Sequence, residues 1–227
     1  MFGWRDYNGA DSGKLPIKPP IESSSMLPTS WAVAILAVGI AALAFKNFLK
    51  SRNDSSAKYF SDSKLFIVGS SVNGFGMEGS DTDLCLVIAS PDLQAGQCMV
   101  SEMEKIRNRL SSRINPRTCW VVDAQVPILK FRDHLSGVEC ELHVNNVVGI
   151  RNTHLLAMYA RVDHRLPTLG VFVRHWAQKM GIHGGSLGKL STYALLLMVI
   201  QCLQCGCSPP VLPNLQARFP VSSRFTD

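Results

Sequence analysis

Two closely spaced carboxylates that follow a glycine–serine pair are the residues of this sequence best suited to chemistry. Gly69 and Ser70 are followed, after ten residues, by Asp81 and Asp83. Residues at i and i+2 of a strand point to the same face, so the two carboxylates would lie side by side. A cation between them relieves their repulsion, and Mg²⁺ prefers oxygen ligands and also binds substrate phosphates. The Gly-Ser pair offers a phosphate backbone N–H groups and a hydroxyl. The pattern therefore predicts a nucleotidyl-transfer site.

Phosphoryl transfer with two metal ions requires a further carboxylate on a neighbouring strand. The segment VECELHVNN supplies two candidates, Glu139 and Glu141, again at i and i+2. Spacing alone leaves both of them open as the third ligand.

The elements that must position these residues follow from short apolar segments. Residues 65–71 and 81–90 predict two strands, with a Gly-rich loop over 72–80 between them. Residues 99–114 carry apolar side chains at helical spacing, with charges between them, and predict a helix. Three further β-rich segments are predicted at 118–124, 126–133 and 138–146.

The C-terminal third of the chain has a helical pattern. Residues 151–165 predict one helix, and Pro167 opens a second helix that Gly181 closes. Ser191 or a neighbouring residue caps a third helix, whose nearly all-round apolarity indicates that it is buried.

Residues 1–57 are predicted to be a disordered leader and linker outside the folded part. Prolines and glycines break any helix in the first 30 residues. Residues 31–45 then contain no charge, and with their flanks they approach the roughly 20 residues that a spanning helix needs. A membrane anchor and a helix buried against the following domain both remain open. If the segment spans a membrane, the basic residues after it place the rest of the chain in the cytosol.

Composition excludes several classes of protein. Hydrophobic residues make up 46% and charged residues 18% of the 227 residues, which excludes a wholly disordered chain and a fibrous one. Seven cysteines without framework spacing argue against a secreted disulfide scaffold and for a reducing compartment. The formal net charge is −2 over residues 58–150 and +6 over residues 151–227. An acidic part followed by a basic part suits a site with metal ions on one wall and a polyanion on the other.

Four segments, taken in order, resemble a known family. They are GSSVNGFGMEGSDTDLCLVI, VPILKFRD…VECELHVNNVVGIRNTHLL, VRHWAQKMGI and LSTYALLLMVIQCLQ. They are similar to the cytoplasmic non-canonical poly(A) polymerases of the germline-development type, within the polymerase-β-like nucleotidyltransferase superfamily. The resemblance covers about residues 64–219. It implies an α/β fold, with a mixed-sheet palm domain at 58–150 and a partial helical domain at 151–227.

The resemblance also implies which residues act at the site. Asp81 and Asp83 match the family's first two metal-binding aspartates, and Glu141 stands where the family has its third. The extra methylene of Glu141 displaces its carboxylate, and such sites are sensitive to shifts of about 1 Å. The implied nucleotide-binding residues are Gly69 and Ser70 at the phosphate turn, Asn152 at the sugar and base, Arg174 and Lys179 at the triphosphate, Thr192 at a phosphate and Tyr193 stacked on the base.

The implied activity is template-independent addition of AMP from ATP to RNA 3′ ends, with Mg²⁺ or Mn²⁺. Two alternatives stay open: uridylyl transfer, and a catalytically weak or inactive, membrane-tethered protein that binds nucleotide or RNA. Relatives continue beyond the position of Asp227, so the resemblance implies a chain truncated at its C-terminus. The sequence contains no separate RNA-recognition module, which implies an RNA-binding adaptor protein. The implied location is the cytoplasm, with or without a membrane anchor.

Overall fold

Five strands form one sheet in the part of the chain that the structure describes. The structure is a computed structural model, and it describes residues 63–77, 79–88, 99–110, 114–122, 126–133 and 137–219. The strands are β1 (Lys64–Val68), β2 (Thr82–Val87), β3 (Ile114–Val122), β4 (Ile128–Asp133) and β5 (Glu139–Val144).

The sheet is mixed, as predicted. Its spatial order is β1-β2-β5-β4-β3. The β2–β5 pair is parallel, whereas the β1–β2, β4–β5 and β3–β4 pairs are antiparallel. The parallel pair joins two strands that are distant in the sequence, and these are the strands that carry the predicted carboxylates.

The register of the sheet sorts polar and apolar side chains onto opposite faces. Glu141 of β5 pairs with Asp83 of β2 on one side and with Lys130 of β4 on the other. One residue further along, three leucines pair in the same way and are fully buried. Because successive residues of a strand point to opposite faces, the leucine row packs in the core while the charged row faces away from it. The leucines are Leu84, Leu142 and Leu129.

The long helix between β2 and β3 covers the apolar face of the sheet. Helix α2 (Met99–Leu110) buries Met103, Ile106 and Leu110 in the same cluster as the leucine row. Its apolar residues recur at helical spacing, as the sequence predicts. The predicted extension of this helix to residue 114 is wrong, because Ile114 begins β3.

Two helices depart from the sequence prediction: one was not predicted, and the other begins earlier than predicted. Helix α1 (Ser70–Asn73) forms directly after Gly69 and extends into the predicted Gly-rich loop. Helix α3 (Val147–Val162) starts four residues before the predicted Arg151. The side chain of Asn146 accepts a hydrogen bond from the Gly149 N–H, and this N-cap fixes the start of α3. The predicted domain boundary after residue 150 falls inside α3 and stays a prediction.

Three further α-helices lie in the described part. They are α4 (Arg165–Lys179), α5 (Thr192–Gln201) and the short α6 (Leu215–Arg218). Pro167 lies in the first turn of α4, two residues after the helix begins. The Ser191 side chain accepts from the Ala194 N–H and caps α5, as predicted.

A second apolar cluster holds these helices together and ties them to the palm. Phe75, from the loop after α1, is buried against residues of α3, α4 and α5. Gly170 of α4 permits the close packing: an added Cβ would lie 2.6 Å from Leu196 Cδ2 and 2.7 Å from Phe75 Cε1. The loop between β1 and β2 thus contributes to both the sheet and the helical layer.

A buried tyrosine anchors the C-terminal described segment. The Tyr159 hydroxyl donates to Gln216 Oε1 at 2.5 Å and accepts from Gln204 Nε2 at 2.8 Å and from the Leu215 N–H at 3.2 Å. Tyr159 is 1% exposed, so all three partners converge on one buried group. The start of α6 is therefore fixed to α3.

None of the helices in the described ranges has the length and apolarity needed to cross a membrane. The candidate anchor at 31–45 and the predicted leader lie outside those ranges.

Candidate active site

A cleft of about 550 Å³ opens between the sheet and the helical layer. Its walls come from β1, β2 and β5 on one side and from α3, α4 and α5 on the other. Nine of the ten predicted site residues line it: Gly69, Ser70, Asp81, Asp83, Glu141, Asn152, Arg174, Thr192 and Tyr193.

Gly69 shapes the floor of the cleft because no other residue fits there. Its backbone has φ 75° and ψ −157°, a conformation that is essentially restricted to glycine. A Cβ at this position would lie 1.9 Å from Asp83 Oδ2. The Gly69 N–H donates to Thr153 Oγ1 at 2.9 Å, and that hydroxyl donates to the Gly149 carbonyl at 2.7 Å. The Gly69 N–H is thus paired with Thr153, a residue that the sequence analysis did not identify.

A carboxylate from β2 and one from β5 meet on the polar face of the sheet. Asp83 and Glu141 pair across the parallel strands, and with His143 they form a group in which one potential ligand atom from each residue lies within 4.8 Å of the others. Asp81 precedes β2, is exposed, and lines the same cleft without belonging to this group. Of the two predicted aspartates, only Asp83 is close to both Glu141 and His143, whereas the Asp81 side chain interacts with Glu141 alone of these two.

Burial and like charge perturb both aspartates. Burial, and then the negative charges of Glu141 and Asp81, raise the pKa of Asp83 from 3.8 to about 6. Burial, followed by the charge of Glu141, also raises the pKa of Asp81. Such crowding of negative charge is costly without a compensating cation.

Lys130 supplies part of the compensating charge. Its ammonium group donates to Glu141 Oε1 in a short ion pair across β4 and β5. This hydrogen bond is the main reason why the pKa of Lys130 is raised. The alternative third carboxylate, Glu139, is exposed, pairs in register with Arg132, and lies outside the group of potential ligands.

His143 is the member of the group that sequence reasoning missed. It follows Glu141 by two residues on β5, so its ring projects from the same face. Its Nδ1 is buried without a hydrogen-bond partner among the described residues. Burial lowers the pKa of His143 and so favours the neutral ring. The i, i+2 spacing from Glu141 was the available signal.

These residues fit a divalent cation. Two carboxylates and a buried imidazole nitrogen without a partner converge, and cations of this kind bind such groups. Burial and, after it, the neighbouring negative charges raise the pKa of Asp83, and bound positive charge would offset both effects.

The opposite wall offers groups for a nucleotide. Arg174 of α4 has its Nε buried without a hydrogen-bond partner among the described residues. A guanidinium group in this position is suited to bind an anion. At the start of α5, Thr192 Oγ1 lies 2.9 Å from His183 Nε2, and the ring of Tyr193 lines the cleft. Asn152 faces the same space from α3.

Lys179 is the predicted site residue that does not line the cleft. It is the last residue of α4 and is exposed. Five residues of helix separate it from Arg174, a rotation of roughly 140° about the helix axis. A role for Lys179 at the triphosphate stays a prediction.

Comparisons with known proteins agree with this geometry. The family described as "Poly(A) RNA polymerase, mitochondrial-like, central palm domain" matches residues 45–161. Poly(A) RNA polymerase GLD2-B of Xenopus laevis is 43% identical over 166 residues, which are 71% of this chain and 32% of that protein. Poly(A) RNA polymerase GLD2 of Homo sapiens is 42% identical over 171 residues, 72% of this chain and 35% of that protein. This chain thus spans about a third of the length of these curated relatives.

Solved structures share the fold. A GLD-2/RNP-8 complex matches with a TM-score of 0.72 and 34% identity over 85% of this chain and 57% of that one. The RNA terminal uridylyl transferase Cid1 matches with a TM-score of 0.65 and 26% identity over 80% of this chain and 51% of that one. The two-layer arrangement around the cleft is therefore that of polymerase-β-like nucleotidyltransferases.

Proposed function

Because the chain belongs to the family of mitochondrial-like poly(A) RNA polymerase central palm domains, we propose that it transfers AMP from ATP to RNA 3′ ends without a template. The observation that carries this proposal is the convergence of two sets of groups on one cleft. Asp83 and Glu141 lie on the sheet wall, and Arg174 and Tyr193 lie on the helical wall. An acidic wall binds cations and a basic, aromatic wall binds a nucleotide, which are the two needs of nucleotidyl transfer.

Each side chain has a distinct task in the proposed reaction. Bound Mg²⁺ or Mn²⁺ supplies positive charge to the phosphates and acidity to the attacking hydroxyl. Asp81, Asp83 and Glu141 would hold the cations. Glu141 also accepts the proton of the RNA 3′-hydroxyl, whose oxygen bonds to the α-phosphorus of ATP while the bond to pyrophosphate, the leaving group, breaks. Arg174 pairs with phosphate oxygens.

The helical wall orients the nucleoside. Tyr193 offers its ring to the base, and Asn152 is placed to contact the sugar. Thr192 and Ser70 present hydroxyls to the phosphates. Fixing both reactants in one cleft supplies a large part of the rate enhancement, because it removes their translational and rotational freedom.

A primer-extension assay tests the proposal. The full chain is incubated with Mg²⁺ or Mn²⁺, ATP and an oligoadenylate primer, and a ladder of extended products is expected. Asp83→Ala should abolish the ladder. Glu104→Ala, which removes a carboxylate on α2 outside the cleft, should leave it intact. A ladder that persists in Asp83→Ala would overturn the assignment.

Uridylyl transfer is the second candidate reaction. The fold match to Cid1, an RNA terminal uridylyl transferase, favours it. The same assay with UTP in place of ATP separates the two reactions, since the preferred nucleotide gives the longer products at equal concentration.

A non-catalytic binding role is the third candidate. The longer Glu141 at the third carboxylate position favours it. It predicts saturable ATP binding without any extension of primer, measured by calorimetry on the chain used in the extension assay.

We further propose that a separate RNA-binding protein brings the RNA. GLD-2, which this chain resembles, has been solved in complexes with RNP-8 and with GLD-3. We expect the chain to be cytoplasmic, which fluorescence microscopy of the tagged chain tests. Carbonate extraction of membranes decides whether residues 31–45 anchor it.

A further inference from the structure

We propose that His143 supplies a nitrogen ligand to the divalent cation and thereby makes this site prefer Mn²⁺ over Mg²⁺. The inference takes the need for a cation from the proposed function. It concerns the ion that this particular site selects, and its test measures binding alone.

The position of His143 on β5 carries the first step. Because Glu141 and His143 are two residues apart on one strand, both project from the polar face. Asp83 reaches them from the adjacent parallel strand, and one ligand atom from each residue lies within 4.8 Å of the other two. The three side chains therefore already surround a single point.

The unpaired ring nitrogen carries the second step. A histidine with a purely structural role would be expected to use its buried nitrogens in hydrogen bonds. The Nδ1 of His143 is buried and has no such partner among the described residues. A cation bound by Asp83, Glu141 and His143 would accept the lone pair of this nitrogen.

The chemistry of the donors carries the third step. Mg²⁺ is a hard ion that selects oxygen ligands and retains water in preference to other ligands. First-row transition ions bind imidazole nitrogen as well as carboxylate oxygen. A site with two carboxylates and one imidazole therefore favours Mn²⁺ over Mg²⁺ more than an all-oxygen site does.

Lys130 does not alter this preference. Its ammonium group pairs with Glu141 Oε1 and competes with any divalent ion for that oxygen. The Lys130 side chain is 36% exposed, so it can turn toward solvent. This competition weakens the binding of Mn²⁺ and of Mg²⁺ alike. The difference in affinity between the two ions therefore depends on the donor atoms.

The test compares the two ions on the full chain after removal of metal with EDTA. Binding of Mn²⁺ is followed by the loss of the free-ion electron paramagnetic resonance signal, and Mg²⁺ is measured by its competition with Mn²⁺. We expect His143→Asn to lower the ratio of Mn²⁺ to Mg²⁺ affinity about tenfold, comparable to the smallest losses of metal affinity seen when residues that support metal ligands are altered. His175→Asn, an exposed histidine on α4, is the control and should leave the ratio unchanged. Mn²⁺ is the chosen probe because the exposed thiols of Cys202 and Cys205 select softer ions.

A spectroscopic measurement on the unaltered chain keeps the test independent of the folding of the variant. Electron spin echo spectra of bound Mn²⁺ should show modulation from a directly bonded ¹⁴N nucleus. Absence of ¹⁴N coupling, or an unchanged affinity ratio in a folded His143→Asn variant, overturns the inference. Failure of the proposed function would appear differently, as nitrogen-coupled Mn²⁺ on a chain that extends no primer.

Discussion

Glu141 is the residue at which the charges of this site meet. It pairs with Asp83 across β2, with Lys130 across β4, and stands two residues before His143. Its carboxylate is one methylene further from the backbone than an aspartate would place it. Any misplacement of a ligand or base is costly, because a shift of about 1 Å can reduce a rate about 100-fold.

Two substitutions of Glu141 are therefore expected to change kcat in opposite directions. Glu141→Asp should raise kcat severalfold, because it restores the reach of an aspartate and keeps the charge. Glu141→Gln should lower kcat by about 100-fold or more, because it removes the proton acceptor and a negative charge. Steady-state primer extension measures both.

Glu139 provides the matched control for that pair. It is two residues away on β5, exposed, and outside the group of potential ligands. Glu139→Gln should leave kcat within about twofold of the unaltered chain. Full activity in Glu141→Gln together with loss in Glu139→Gln would mean that the third carboxylate has been assigned to the wrong residue.

Asp83 gives a prediction about pH and stability in the absence of metal. Its folded-state pKa of about 6 lies above its ordinary value of 3.8, so the folded chain holds this proton more tightly than the unfolded chain does. The stability that this proton confers is present below about pH 4 and is lost as the pH rises through about 6. In EDTA, the urea midpoint of the unaltered chain should therefore fall between pH 4 and pH 7.

Asp83→Asn isolates this contribution. It should flatten the fall over that pH range and raise the midpoint at pH 7. Other groups also titrate in this range, Asp81 among them, so the informative quantity is the difference between the two proteins. Parallel curves for the two proteins would show that Asp83 is not strained by its neighbours.

At the residue scale, the sequence predicted the proximity of those residues that lie on a strand with regular side-chain alternation or in a motif shared with the family. Asp83 and Glu141 were expected near one another, and β2 and β5 bring them together. His143 was missed because a lone histidine carries no repeated spacing, and its relation to Asp83 exists only after the strands pair. Whether Lys179 reaches a phosphate depends on the rotation of α4, which a sequence motif does not specify.

Among the elements, the turn from β1 into α1 gives the sharpest prediction. Gly69→Ala would force a Cβ to within 1.9 Å of Asp83 Oδ2 and into a backbone conformation that costs about 1–3 kcal/mol. We expect a lowered urea midpoint and loss of primer extension.

Gly181 is the control for the effect of an unfavourable backbone conformation alone. It also has a positive φ, +69°, but an added Cβ there would meet nothing within 4 Å. Gly181→Ala should lower stability while leaving kcat unchanged. Equal loss of activity in both variants would mean that the contact with Asp83 is unimportant.

The strands and helices were largely predictable because most have one apolar face. The β2 and β5 strands and the core of α2 lie where alternation or helical spacing placed them. Helix α1 was missed because its glycine-rich surroundings indicate a loop, and the packing of nearby Phe75 in the helical layer is not visible in the sequence. The start of α3 was misplaced because Asn146, its cap, was assigned to the end of a strand.

At the scale of the whole molecule, one face of α4, continued by Met180 directly after the helix, stands out as apolar and exposed. Four residues at helical spacing form this apolar stripe, with Phe172 64% and Met180 61% exposed. Exposed apolar surface of this kind promotes association. The other two members of the apolar stripe are Leu169 and Trp176.

The apolar stripe predicts the behaviour of the chain in solution. Replacing Phe172 and Trp176 together by Gln should reduce self-association, measured by light scattering, and reduce binding of a hydrophobic dye. Stability should change by only about 0.5 kcal/mol per position, because both side chains are exposed. Val148→Gln, an equally exposed residue on α3, should affect neither measurement. Unchanged scattering in the double variant would show that the stripe does not drive association.

The parallel pairing of β2 with β5 also determines the order in which the protein can fold during synthesis. Asp83 and its partner Glu141 are 58 residues apart in the sequence, so β2 leaves the ribosome long before β5 exists. Until then one edge of β2 has free backbone groups, and such an edge is a template for pairing with other chains. Closing so long a loop is also slow relative to local helix formation. The strand that brings Glu141 beside Asp83 is therefore the one that ends this exposure, so the nascent chain assembles the acidic wall of its cleft and protects the edge of β2 in the same step.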